Sequence, residues 1–212
     1  MRLRFQHGRR DHLKTMHPAY FAMVMATGIV SIALFLHDVP ALPTVMLGLN
    51  GVILAAVLTA TVLRFLRYRT DFIADITSHS RSVGFFTAVA GTATFGTQLV
   101  VQLGAIRLAM VFWFAAAVLW AVVTYGVLAV LTAKAEKPTL QEGLNGAWLL
   151  VVVATQSVAA LTVLLLDGGA LAGIEQELIF AVLVLWLGGG ALYIWIMTLI
   201  FFRYTFVHMA PE

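Results

Sequence analysis

The chain has 212 residues, of which 61% are hydrophobic and only 11% are charged, and its net charge is +3. A water-soluble domain carries about 25% charged residues, so the composition excludes a soluble globule and favours a chain surrounded by lipid. Cysteine is absent, which excludes disulfides and thiolate-ligated metals. We expect no cofactor and no nucleic-acid partner.

Six apolar stretches follow one another along the chain, and each is long enough to cross a bilayer as a helix. Before them lies a basic cytoplasmic tail, residues 1–16, and after them a short cytoplasmic end, residues 207–212, where we expect the chain to be truncated. The predicted transmembrane domain is 17–206, with helices at about 18–36, 43–64, 83–103, 107–132, 146–166 and 177–202. The first stretch is longer than the apolar region of a signal peptide and is therefore predicted to be a membrane helix.

The distribution of basic residues predicts the orientation of these helices. The N-terminal tail, the 64–82 loop, the 133–143 loop and the C-terminal end hold 12 of the 13 Lys and Arg residues, and Arg107 alone lies on the other side. Basic residues concentrate on the cytoplasmic side of membrane proteins. We therefore expect a multi-pass protein of the inner (plasma) membrane with a cytoplasmic N-terminus.

The connections alternate between short turns and longer charged loops, which predicts three helical hairpins. The first helix of each hairpin begins with an aromatic residue and has a small or hydroxyl-bearing centre. The matching positions are Phe21 with Thr27, Phe86 with Thr92, and Trp148 with Thr155, and the aromatic residues are 65 and 62 positions apart. A fixed period of this kind predicts a parallel repeat of one hairpin.

Polar residues within the spans are uncharged and belong mainly to the first, third and fifth helices. Such a face can line a path for anions, with hydroxyl and amide groups as weak donors. The same small and hydroxyl residues also allow helices to pack closely, and this alternative stays open. The pore-lining candidates are Thr27, Gly28, Ser31, Thr87, Gly91, Thr92, Thr94, Gln98, Thr155 and Gln156.

No charged residue lies deep within a predicted span, which argues against a carrier that works through buried carboxylates. We find no nucleophile motif and no metal-binding motif, so no enzymatic activity is expected. The loop that contains Asp75, His79 and Arg81 is expected to be a solvated connection. We further expect the even helices to stand outside the odd ones, with tryptophans such as Trp113 and Trp120 facing lipid.

Four segments in sequence resemble one family of membrane proteins, the tellurite-resistance/C4-dicarboxylate transporter family. This family is related to the malic acid and sulfite transporters and to the plant slow anion channels. The segments are HPAYFAMVMATGIVSIA (17–33), GFFTAVAGTATFGTQ (84–98), GLNGAWLLVVVATQSVAAL (143–161) and IFFRYTF (200–206).

The resemblance implies an all-α pore fold of ten helices in five repeated hairpins, often assembled as a homotrimer. It implies transport of a small anion or C4-dicarboxylate across the lipid bilayer through a pore ringed by the odd helices. Only three of the five hairpins are present, so we expect an incomplete chain whose gate residue would lie beyond residue 212. A non-transporting membrane scaffold or accessory subunit is the alternative, because three hairpins cannot close a five-hairpin ring.

Overall fold

The computed structural model describes residues 12–206, so most of the two predicted tails lies outside the described residues. Every regular element within 12–206 is helical. Six helices have the length and hydropathy to cross a membrane, which confirms the predicted all-α fold class. They are called spans 1 to 6 below: Pro18–Leu36, Leu42–Arg67, Ser82–Leu103, Ile106–Ala133, Gly146–Asp167 and Glu175–Phe206.

Spans 1, 3 and 5 each begin with one turn of 3-10 helix that continues as an α-helix. The turns are Pro18–Phe21, Ser82–Phe85 and Gly146–Leu149. Their first residues, 18, 82 and 146, are separated by two equal steps of 64. The chain therefore contains a structural repeat of one hairpin, in agreement with the predicted fold.

The register of this repeat differs from the one that the aromatic residues suggested. With a step of 64, the structural equivalents of Thr27 are Gly91 and Thr155. Thr92 instead corresponds to Gly28 and Gln156. The aromatic residues do not mark equivalent positions of the repeat, because a bulky side chain near the membrane surface can occur one position earlier or later on the same helical turn.

Spans 1, 3 and 5 lie side by side, with span 3 in the middle. Each even span packs on the odd span that precedes it, and span 4 also touches span 5. In its most apolar window, 78% of span 3 and 50% of span 5 are buried, against 22% for each of spans 1, 2 and 4 and 11% for span 6. The structure agrees with the prediction that the odd helices lie next to one another, with span 3 innermost. Span 1, at the edge of this layer, is as exposed as spans 2 and 4.

Small residues on span 3 allow its neighbours to approach closely. A Cβ atom at Gly96 would lie 2.7 Å from Leu161 Cδ2 of span 5 and 3.2 Å from Phe112 Cβ of span 4. Phe112 in turn meets Phe95 edge to face, with ring centroids 5.0 Å apart. Close approach increases the dispersion contacts that hold membrane helices together, where no hydrophobic driving force acts between them.

Two short helices lie outside the spans and precede spans 3 and 5. They are Arg69–Ile76 and Leu140–Gly143. The second is stabilised by a capping box, in which Thr139 and Glu142 each bond the other's backbone N–H. Both helices lie at the end of the bundle where the odd spans begin, called the N-terminal side below.

Candidate functional site

The ten pore-lining candidates all lie on the inner spans 1, 3 and 5. Eight of them are buried within the chain, and Thr27 and Gln156 are partly exposed. Burial of this extent limits the contact that most of them can make with a passing ion. The hydrogen bonds of the buried candidates show what they do in this fold.

The threonine hydroxyls on the inner spans mostly donate to carbonyl groups of their own helix. Thr87 Oγ1 lies 2.7 Å from the Gly84 carbonyl oxygen, and Thr92 Oγ1 lies 2.7 Å from that of Ala88. Thr155 makes the same bond to Val151 at 2.9 Å. A hydroxyl with one proton that already donates to the backbone offers only lone pairs to a ligand, which an anion cannot use.

Two threonines of span 5 hold tryptophans of span 4. Trp120 Nε1 donates to Thr155 Oγ1 at 2.9 Å, and Trp113 Nε1 donates to Thr162 Oγ1 at 2.8 Å. The expectation that these two tryptophans face lipid is wrong, because each indole N–H has a partner between the helices. Trp186 does face outwards, with 60% of its surface exposed.

Gly28 and Gly91 sit where spans 1 and 3 touch. A Cβ at Gly28 would lie 2.7 Å from Thr94 Cγ2, and a Cβ at Gly91 would lie 3.1 Å from the Phe21 carbonyl oxygen. These glycines let the two backbones approach one another. The packing interpretation therefore has direct support at both positions.

An uncharged polar cluster joins spans 1, 2 and 3 near the end opposite the N-terminal side. Asn50 Nδ2 donates to Gln98 Oε1 at 2.5 Å, and Gln102 Nε2 donates to Ser31 Oγ at 2.8 Å. Ser31 donates to the Pro43 carbonyl at 3.0 Å. Asn50 and Gln98 are fully buried. Buried amides in membrane interiors bind helices to one another.

Sequence reasoning missed the contribution of Asn50 to this cluster, because it considered polar groups only on the odd helices. A signal was present, since Asn50 is the one Asn or Gln within the 43–64 span. A lone amide in an apolar helix needs a buried partner, as an unpaired polar group is costly in hydrocarbon. Gln98 supplies that partner from the neighbouring helix.

A buried ion-pair cluster lies on the N-terminal side. Asp75 Oδ2 is 2.7 Å from Arg64 Nη2, and Asp75 Oδ1 is 2.5 Å from Arg81 Nε. The side chains of Asp75 and Arg64 are only 9% and 4% exposed. The two arginines also donate to the carbonyls of Lys14 and Met16. The expectation that the loop around Asp75 is a solvated connection is therefore wrong.

His17 caps the start of span 1 beside this cluster. Its Nδ1 accepts a hydrogen bond from the Ala19 N–H at 3.1 Å, which requires the neutral ring. Burial lowers the pKa of His17 below its ordinary value of 6.5, and the charges of Arg81 and Arg64 lower it further, against an opposing effect of Asp75. His17 is therefore neutral at physiological pH.

A polar surface cavity of about 520 Å³ lies between the two loops on the N-terminal side. Lys134, Lys137, Glu136 and Glu142 line it together with His79. Burial lowers the pKa of His79, and Lys134 and Lys137 add to the effect. With two cations balanced by two carboxylates, the cavity carries no excess charge that would attract an anion.

A family model, the voltage-dependent anion channel model SLAC1, matches residues 15–212. The chain belongs to the voltage-dependent anion channel family. The match covers all six spans and includes the tellurite-resistance/C4-dicarboxylate transporter type, as the sequence motifs indicated. No curated protein and no solved structure matched the chain.

Membership of the anion channel family fixes the general activity. The family consists of channels and transporters, so its members move anions across membranes. Spans 1, 3 and 5 carry three of the four segments that resemble the family, and they also form the inner layer. Most of their polar groups are engaged in packing, which leaves Thr27 and Gln156 as the partly exposed candidates.

Proposed function

We propose that the protein provides a passive path across the inner membrane for small anions or C4-dicarboxylates and related organic acids. The observation that carries the proposal is the family match over residues 15–212. The packing of spans 1, 3 and 5 into one inner layer supports it, because that layer is where a path would run.

The position of the charged residues favours passive movement. Within the six spans of the described chain, charged residues lie only near the ends, such as Arg64 in span 2, Arg107 in span 4 and Asp167 in span 5. A carrier coupled to protons or cations uses ionisable groups inside the membrane. A path without them exerts little attraction on an anion and lets it leave again.

Thr27 is the best candidate on the inner spans for contact with the anion. It is partly exposed, and no hydrogen bond joins its hydroxyl to another of the described residues. The hydroxyl proton is thus available to a ligand. Gln156, one residue beyond the structural equivalent of Thr27, is the second candidate, although its amide donates to the Trp186 carbonyl at 3.1 Å.

The proposal is tested by measuring anion flux into liposomes that contain the purified full-length protein. Chloride, nitrate, malate and sulfite are each supplied outside, and protein-free liposomes are the control. We expect flux down the concentration gradient that does not need a proton gradient. Flux that stops when the proton gradient is collapsed would contradict passive movement, and no flux of any of the four would contradict transport.

A non-transporting scaffold is the second candidate function. The observation in its favour is that eight of the ten pore-lining candidates are buried within the chain. The flux measurement separates the two functions, because a scaffold gives none.

Two further parts of the proposal concern assembly and orientation. We propose that the protein forms a homotrimer, as the resemblance to the tellurite-resistance/C4-dicarboxylate transporter family implies. Native mass spectrometry of the purified protein tests this by measuring the mass of the oligomer. We propose a cytoplasmic N-terminus on the strength of the basic residues on that side. Because the chain has no cysteine, a single cysteine at Ser80 reports the orientation when intact cells are treated with an impermeant thiol reagent.

A further inference from the structure

An apolar groove of about 360 Å³ runs between the outer spans 2 and 4 on the N-terminal side. Leu58 and Thr61 of span 2 form one wall, and residues from Leu119 to Val130 of span 4 form the other. These eleven helical steps correspond to about 16 Å along the axis of span 4. The hydrocarbon core of a bilayer is about 30 Å thick, so the groove is as deep as one leaflet.

The groove opens towards the lipid-facing surface. Leu58 and Val122, on opposite walls, are 41% and 64% exposed. A Cβ at Gly126 would meet no atom within 4 Å, so this glycine leaves open space in the span 4 wall. The inner spans close the groove from behind through Phe85 and Ala88. An acyl chain can therefore enter sideways from the bilayer.

The short helix Arg69–Ile76 borders the groove and carries a cation at its first residue. Phe72 and Ile76 border the groove, and Arg69 is three and seven residues before them, on the same helical face. Arg69 is exposed, and its guanidinium lies over the Phe65 ring, 5.1 Å from the centroid. No ion pair neutralises Arg69 among the described residues.

Arg64, the arginine that lines the groove, has a different role. Arg64 lines the groove but is held by Asp75 at 2.7 Å and by the Lys14 carbonyl at 3.2 Å. Its charge is therefore already compensated. Arg69, on the helix that borders the groove, and the exposed Arg67 have no ion pair among the described residues.

We propose that this groove binds one acyl chain of an anionic phospholipid from the leaflet on the N-terminal side, with its phosphate at Arg69. An apolar groove one leaflet deep, with an unpaired cation on the short helix that borders it, matches the chemistry of such a lipid. Basic residues at a membrane surface attract anionic lipids by about 1 kcal/mol each. The site requires only that the spans cross a bilayer, so it does not depend on the proposed anion transport.

To test the proposal, a larger side chain is introduced into the groove and the amount of lipid that remains bound to the protein is measured. The full chain is purified in mild detergent, and bound phosphatidylglycerol and phosphatidylcholine are quantified by native mass spectrometry. Gly126→Leu should lower bound phosphatidylglycerol several-fold. Gly188→Leu is the matched control. A Cβ at Gly188 also meets no atom within 4 Å, and this residue belongs to span 6, away from the groove. It should retain the wild-type amount.

A second variant tests the headgroup contact. Arg69→Gln should lower the preference for phosphatidylglycerol over phosphatidylcholine about fivefold, which corresponds to the loss of one surface cation. In the wild type, a phosphatidylglycerol with a photoreactive acyl chain should label span 4 between residues 119 and 130. This labelling needs no variant and stays informative if Gly126→Leu fails to fold.

Three outcomes would overturn the proposal. The first is a Gly126→Leu variant that keeps as much phosphatidylglycerol as the wild type. The second is equal retention of both lipids by the wild type, which would mean a neutral acyl-chain site without a role for Arg69. The third is an oligomer that Gly126→Leu dissociates, which would mean that a second copy of the chain occupies the groove.

Discussion

Replacing Asp75 by Asn should be among the most damaging single changes on the N-terminal side. Asp75 receives hydrogen bonds from Arg64 at 2.7 Å and from Arg81 at 2.5 and 3.1 Å. Because Arg64 is only 4% exposed, loss of the carboxylate would leave its charge buried without a counter-ion. Breaking a buried pair in this way costs about 3–5 kcal/mol.

Asp71 provides a matched control on the same short helix. Its ion pair with Lys14 is 3.9 Å long, and the two side chains are 40% and 53% exposed. Exposed pairs of this kind contribute about 0–1 kcal/mol. Asp71→Asn should therefore leave the free energy of unfolding almost unchanged, although it removes the same charge as Asp75→Asn.

The assay is unfolding of the detergent-solubilised protein by titration with a denaturing detergent, followed by the loss of helical circular dichroism. A double variant, Arg64→Met with Asp75→Leu, should recover much of the stability that Asp75→Asn loses, because it removes the buried charge of Arg64 together with its counter-ion. The charge of Arg81 remains, but its side chain is 34% exposed. Equal free energies of unfolding for Asp75→Asn and Asp71→Asn would refute the reasoning. So would a double variant less stable than Asp75→Asn.

Three further predictions concern packing, hydrogen bonding and pH. Gly96→Ala should lower the free energy of unfolding by about 1–3 kcal/mol, because the side chains of spans 4 and 5 must shift to make room for the methyl group. Gly48→Ala is the control and should have little effect in the same titration, because a Cβ at Gly48 meets no atom within 4 Å. Trp120→Phe and Thr155→Val should each cost about 0.6 kcal/mol. The double variant should cost less than the sum of the two, because each substitution removes the same bond. Strict additivity in the double-mutant cycle would contradict a shared bond. His17 has a lowered pKa, so the unfolded state binds its proton more readily than the folded state, and stability should fall as pH drops below about 6.5. His17→Gln should flatten that fall, and an unchanged pH profile would contradict the neutral cap.

The sequence predicted the spans and their layers because hydropathy and residue size act along one helix at a time. A run of about 20 apolar residues must cross the bilayer whatever surrounds it. The glycines and hydroxyls of span 3, from Gly91 to Gln98, likewise indicated an inner helix before any contact was known. These properties need no knowledge of a partner.

What the sequence did not predict depends on pairs of residues far apart in the chain. Arg64 and Asp75 both lie in a stretch whose sequence suggests a solvated loop. The carboxylate is buried only because the short helix Arg69–Ile76, which carries Asp75, folds against the bundle. From the sequence, Trp120 is predicted to face lipid. In the fold its indole N–H donates to Thr155, which is 35 positions later in the chain. The choice between pore lining and packing also depends on distant residues, because the spacing of hydroxyl groups along one helix does not show which groups of the neighbouring helices they contact.

The most direct test of anion passage along the inner spans combines flux with chemical block at Thr27. The chain contains no cysteine, so Thr27→Cys creates a unique target, and Val45→Cys on the outer span 2, where Val45 is 65% exposed, is the control. Anion flux into liposomes is measured before and after treatment with a negatively charged, water-soluble thiol reagent. We predict that the reagent blocks flux through Thr27→Cys and leaves flux through Val45→Cys unchanged. Full flux through a labelled Thr27→Cys protein, or no flux through either variant or the wild type, would contradict the account.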